Sequence, residues 1–421
     1  MNAKWNNPIR KFLFGIALAG LVLSLCLGSR GAPVARAQAA WTDNPTSAVA
    51  ATPPLPQLAY GAPGWQQANT SGFGDVKDEV VKSLEVYNNQ LYAGTGNYTE
   101  GGQIWRSSNG ITWTAVSERG LGSGNVFSFV YDMIGFKGQL YAGIGNWTNG
   151  GVGGQVWRCT ICDGSTNDWQ KVVDNGFGSA DNAGIANFAV FNNMLYASSF
   201  NLGKGVEIWR SSTGNLDDWT SVVSAGNGDA NTFDAYLTAA NGYLYAAVEN
   251  SADGMEIWQT ATGNEGEWNR IVTGGFGDAT NDLYTGGLVV FGSDLYVGTG
   301  SDSGLARVYR YHNGAWGQVG SDGFGDPHNS AISGSLTVFD GALYAAVTNS
   351  ITGMEVWSSP DGTNWSQVNT DGFGDSDNVR TVGNNSTAVF NNSLYLGVWN
   401  TDQGGEVWRT LNQVFLPLVM R

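Results

Sequence analysis

Acidic side chains recur at one kind of loop. Seven segments read Gly-x-Gly-Asp or Gly-x-Gly-Ser, with Asp75, Ser123, Ser179, Asp229, Asp278, Asp326 and Asp375 at the fourth place. An Asp or Asn follows two or three residues on, at Asp78, Asn125, Asn182, Asn231, Asn281, Asn329 and Asn378. Hard cations take carboxylate and amide oxygens, so Asp75, Asp229, Asp278, Asp326 and Asp375 are candidate Ca²⁺ ligands. The other reading is a turn whose Asx side chains hold the loop amides. Repetition favours the turn, because a scaffold residue recurs while a catalytic group is normally unique. Glu207, Glu256, Glu355 and Glu406 repeat as well and read the same way. No catalytic residues are legible. The two histidines, His312 and His328, have no Gly-x-Ser-x-Gly elbow to serve, and phosphate-loop, zinc-protease and full EF-hand patterns are missing. Acids are plentiful enough to leave a glycosidase carboxylate pair open.

Chemistry is better sought where the repeats differ. Of 17 tryptophans, all but Trp147 and Trp399 belong to repeating series or precede the repeats. Both adjoin a recurring Asn, as do Tyr98 and Phe200 in corresponding loops. Tyr98, Trp147, Phe200 and Trp399 are therefore candidate ligand-binding residues: aromatics on one arc would stack on sugar rings or anchor a protein. They would equally serve as packing against neighbouring loops.

The elements that position these loops follow from internal repetition. A Leu-Tyr pair recurs with its Leu at residues 91, 140, 195, 244, 295, 343 and 394, spaced by 48 to 55 residues. A branched residue followed by an aromatic recurs as often: Ile104-Trp105, Val156-Trp157, Ile208-Trp209, Ile257-Trp258, Val308-Tyr309, Val356-Trp357 and Val407-Trp408. A third series is a lone Trp at 65, 113, 169, 219, 268, 316 and 365. Pairs such as Asn88-Asn89, Asn241-Gly242 and Asn391-Asn392 mark two-residue hairpin turns before the Leu-Tyr strand. Each unit thus reads as four short antiparallel strands that cannot bury their own faces alone. The expected fold is all-β, a seven-bladed β-propeller of four-stranded blades. The last unit stops after Trp408 without a fourth strand, while Trp65–Gly74 (WQQANTSGFG) matches Trp365–Gly374 (WSQVNTDGFG). The N-terminal strand is therefore expected to complete the last blade and close the ring.

With Ser359-Pro360-Asp361-Gly362-Thr363-Asn364-Trp365 and Ser108-Asn109-Gly110-Ile111-Thr112-Trp113 as shortened Asp-boxes, the chain resembles Asp-box and kelch-like propellers of the broad sialidase-like group. The resemblance covers residues 65–409 and implies fold, not activity. A sialidase would also need an arginine triad and an Arg-Ile-Pro segment. No Arg-Ile-Pro occurs, and Arg106, Arg158, Arg210 and Arg409 share one repeat position.

Residues 1–39 read as a secretory signal: basic Lys4, Arg10 and Lys11, an apolar run from Phe12 to Gly28, and Ala37-Gln38-Ala39 for cleavage. Residues 40–64, with Pro53, Pro54, Pro56 and Pro63 among their five prolines, read as a linker, and 410–421 as a hydrophobic C-terminal tail. Removing the signal leaves 15 basic against 36 acidic residues, a net charge of about −21, which excludes nucleic acid as a partner. Cys159 and Cys162 then remain, and in an oxidising compartment they suit a local disulfide. The expectation is a secreted or cell-surface binding or structural propeller, with a glycan or surface polymer as ligand. Alternatives are a carbohydrate-active hydrolase or lyase on the same scaffold and a protein-interaction scaffold. No membrane span is expected in the mature chain.

Overall fold

The computed structural model describes residues 64–146, 151–164, 168–281, 287–301, 304–332, 336–383 and 385–411. The expected signal, almost all of the linker and nearly all of the tail lie outside them. Among the described residues, no helix is long and apolar enough to cross a membrane.

The hairpin turns form where the sequence demands them. Asn88-Asn89, Asn192-Asn193 and Asn391-Asn392 all have φ between 47° and 60°, and Asn241-Gly242 and Asp340-Gly341 are also positive. Two consecutive left-handed residues give the turn whose twist matches the flanking strands. From each turn, four strands run antiparallel. Thr232–Ala240 pairs with Tyr243–Asn250, that with Glu256–Thr260, and that with Asn269–Val272. The sheets include 4-stranded, 5-stranded and 12-stranded examples, the last linking three repeats through Gly96↔Phe129 and Gly145↔Gly184. Trp65–Gln67 pairs with Glu406–Thr410 in the register Trp65↔Thr410 and Gln67↔Trp408, so a strand from the start of the repeats borders the last one.

Between strands four and one runs the Gly-Phe-Gly turn. Its Phe takes a left-handed backbone (φ 53° at Phe73, 59° at Phe177, 63° at Phe276), a conformation costing about 1–2 kcal/mol for an L-residue. Stacking offsets that cost. Phe177 lies parallel to Trp209 at 4.7 Å and tilted against Trp219 at 5.4 Å. Phe73, Phe276, Phe324 and Phe373 are clamped alike, Phe276 on Tyr309 at 3.9 Å. The recurring acids tie the same corner together. In the last repeat Asn400 donates to Asn378 (3.0 Å), Asn378 to Glu406 (2.8 Å) and Trp408 Nε1 to Glu406 (2.8 Å). Arg210 reaches the next repeat, donating to Gly263 O and Asn264 Oδ1. Arg106 and Arg158 reach the next repeat in the same way, through Cys162 O and Asn215, whereas Arg409 bonds Gln66 within its own sheet.

Candidate functional site at the mouth of the inner strands

The Gly-x-Gly-Asp carboxylates are occupied by the protein itself. Asp375 Oδ1 accepts from the Asp377 amide, and Oδ2 from Asn400 and Gln403, each at 3.0 Å. Asp229 accepts from the Asn231 amide and Asn250, and Asp326 from the His328 amide and Asn349. Asp278 takes Thr280 and Arg307, and Asp75 takes the Lys77 amide and Arg119. These are Asx turns tied to the neighbouring loop. Among the described residues, no group of three or more His, Cys, Asp or Glu is placed to hold a metal ion. Cys159 and Cys162 are disulfide-bonded with Cα atoms 5.5 Å apart.

Of the four aromatics, Trp147 lies outside the described residues. Tyr98 is 38% exposed, whereas Phe200 and Trp399 are 7% and 4% exposed. The last two offer no free face for stacking. Phe200 packs on Phe233 and Tyr131, and Tyr98 stands edge-on to Phe129 at 5.0 Å. The Arg380 guanidinium lies over the Trp399 ring at 4.3 Å. These loops thus meet at the entry ends of the inner strands, where an aromatic collar forms.

Inside the collar lies a charged cluster that loop reading misses. The inner strands carry β-bulges after Val81, Val130 and Thr232, which place Lys82, Tyr131 and Phe233 as extra residues. Bulges re-aim side chains beside functional sites. Lys82 Nζ lies 4.7 Å from the centre of the Tyr131 ring and is buried, in the field of Asp234, Glu249, Arg380 and Asp132. Burial lowers the Lys82 ammonium and raises the Asp234 carboxyl, because each charge has left water. Asp234 and Glu249 face each other across one strand pair.

Asp132 is the hub beneath. It accepts from the Met133 amide (2.8 Å), the Phe188 amide (2.7 Å), Asn187 (3.0 Å) and Asn385. Burial nevertheless raises it to about 7, outweighing those donors. Nearer solvent, burial lifts Glu79 to about 6. Burial raises the Tyr98 hydroxyl most, Glu79 adds to that and Arg380 opposes it, so the three groups are neighbours; Tyr98 is partly exposed, and Glu79 and Arg380 are half-buried. The site therefore offers one aromatic face, a cation and a carboxylate at the rim, and groups of near-neutral pKa below. The signal for it was a charge inside an apolar strand: Lys82 in Val80-Val81-Lys82-Ser83-Leu84 and Asp132 in Val130-Tyr131-Asp132-Met133.

No protein-family model matches the chain, Asp-box and kelch families included, and no curated protein matches it. Solved structures do. An ancestral GH74 enzyme aligns at TM-score 0.54 and 11% identity, over 80% of this chain and 48% of that one. A PL25 ulvan lyase, a polysaccharide lyase bound to -[GlcA(1-4)Rha3S]-, aligns at 0.50 and 13%, over 83% and 95%. YCF48 from Cyanidioschyzon merolae aligns at 0.50 and 13%, over 82% and 98%. The chain thus spans about half of the GH74 enzyme and nearly all of the other two. At these identities the likeness is one of fold. Repeated antiparallel sheets and these neighbours together identify the chain as a β-propeller.

Proposed function

We propose that the chain is an exported seven-bladed propeller, its ring closed by Trp65–Gln67, that binds a neutral saccharide at the rim formed by Glu79, Tyr98 and Arg380. The observation that carries this reading is the partly exposed Tyr98 ring, whose hydroxyl feels the charges of Glu79 and Arg380. A sugar presents an apolar face that stacks on an aromatic and hydroxyls that take a charged donor and acceptor. The surrounding acidic surface disfavours polyanions at low salt. One of the fold neighbours, the PL25 ulvan lyase, is a polysaccharide lyase by name, which is a hint at the level of fold only. A glycan array followed by calorimetry tests the reading. Tyr98→Ala and Arg380→Ala should each weaken binding roughly tenfold, the size of a lost stacking or charge-assisted contact, while both variants stay folded by circular dichroism. Affinity that survives both changes, or an array without a hit, ends the proposal; a protein captured instead would favour the interaction scaffold.

A second reading is a hydrolase or lyase. It is favoured by Asp132, raised to about 7, beside Lys82, whose ammonium is lowered. Groups tuned toward neutrality serve as general acids and bases. Product analysis by mass spectrometry after incubation with the bound glycan distinguishes cleavage from binding.

A further inference from the structure

The inner strands also frame a second space. Where they run into the hairpin turns, away from Lys82 and the rim, a cavity of about 590 Å³ is lined by residues of all seven inner strands. Ile134, Val190, Leu288 and Val389 form apolar wall, and Val389 is 46% exposed. The volume is that of a small-ligand pocket.

Its polar groups are mostly spent. The Thr337 and Thr387 hydroxyls bond each other, and Thr238 Oγ1 donates to Leu288 O at 3.2 Å. Asn385, also on the wall, donates to Asp132. Glu85 is different: its Oε1 accepts from the Gly135 amide at 3.1 Å, and burial with the nearby Asp132 lifts it to about 7. No Lys, Arg or His lines the cavity among the described residues. Glu85 is thus a carboxylate in an open cavity of mixed polar and apolar wall, with no cation among the lining residues.

We propose that this cavity binds an organic monocation, an alkylammonium whose charge meets Glu85 and whose chain lies on the valine and leucine wall. A hard metal ion would need several oxygen ligands, and one carboxylate beside hydroxyls and an amide that are already bonded supplies too few. A neutral guest would bury Glu85 without compensating its charge, and an anion would be repelled by it. An ammonium instead makes a charge-assisted hydrogen bond. The proposal is independent of the saccharide reading, which uses residues at the other end of the strands.

The test is calorimetry on the full chain at pH 8, where Glu85 is ionised, with hexylammonium, hexanol and hexanoate as probes. Hexylammonium should bind about tenfold more tightly than hexanol, the worth of a charge-assisted contact, and hexanoate not at all. Glu85→Gln should level the amine with the alcohol, and its unliganded melt reports whether it folds. Val389→Trp, at the exposed end of the wall, should weaken amine and alcohol together. Equal binding of hexanol and hexylammonium, an amine preference kept by a folded Glu85→Gln, or no binding by any probe would overturn the proposal.

Discussion

At Asp132, two opposing effects meet in one side chain. Its oxygens accept from two backbone amides and two asparagines, which favours the carboxylate, yet burial lifts the group from 3.8 to about 7. The stability consequence has a definite sign. Between those two values the folded chain holds a proton that the unfolded chain releases. Stability from this group is therefore full below about pH 4 and is lost as pH rises toward 7. Glu79 and Glu85, raised for the same reason, add the same sign. Asp132→Asn removes the titration at this site, and it also turns an amide nitrogen toward a donor. The variant should melt below the parent, with the gap wider at pH 5 than at pH 8. Thermal unfolding across that range checks this; a gap that widens with pH contradicts it. The sequence carries Asp132 as a charge in an apolar strand, a signal that attention to the loops passes over, and it does not show the partners. Asn385 lies 253 residues away and meets it only because the inner strands converge.

The elements were more legible than the site, and the reason is local. Hairpin turns need two positive-φ residues, and Asn-Asn or Asn-Gly pairs advertise them within a few positions. The repeated Asp loops were equally plain as turns, since an Asx side chain holds an amide two residues on. What local sequence could not reveal was which aromatics face solvent. Tyr98 is exposed, while Phe200, in the corresponding loop, is covered by Phe233 and Tyr131 from the inner strands. The Gly-Phe-Gly turn separates two uses of glycine. Gly176 has φ 57°, and a Cβ there would lie 2.6 Å from Asn182, whose side chain bonds Gly176 O and Glu207. Gly178 has φ 96° and open space around it. Gly178→Ala should therefore cost only backbone strain, about 1–2 kcal/mol. Gly176→Ala adds crowding against Asn182, about 1–3 kcal/mol more, and should loosen the Asn182–Glu207–Trp209 corner. Chemical denaturation of both variants measures the difference; equal losses would mean that the corner yields freely.

For the whole molecule, the decisive contacts join residues more than 300 positions apart. Trp65 is 2% exposed, its indole donates to Val368 O at 2.9 Å, and its ring stands edge-on to Phe373 at 5.4 Å. Ala68 donates to Val407 O at 2.7 Å, Asn69 Oδ1 accepts from the Val407 amide at 2.7 Å, and Ser71 bonds Glu406 at 2.8 Å. Without these residues, Glu406–Thr410 would present a row of unpaired amides and carbonyls, a template for pairing with another chain. The sequence announced this arrangement through a fourth-strand motif at the wrong end of the repeats, since strand chemistry repeats regardless of chain order. If the strand closes the ring, a chain beginning at Thr70 should melt well below the parent and should associate as its concentration rises. A synthetic peptide covering residues 64–70 should restore the melt by filling the vacant edge. Light scattering and thermal unfolding, with and without the peptide, read both effects. A truncated chain that stays monomeric and melts like the parent would show that the repeats hold together without the Trp65–Gln67 strand.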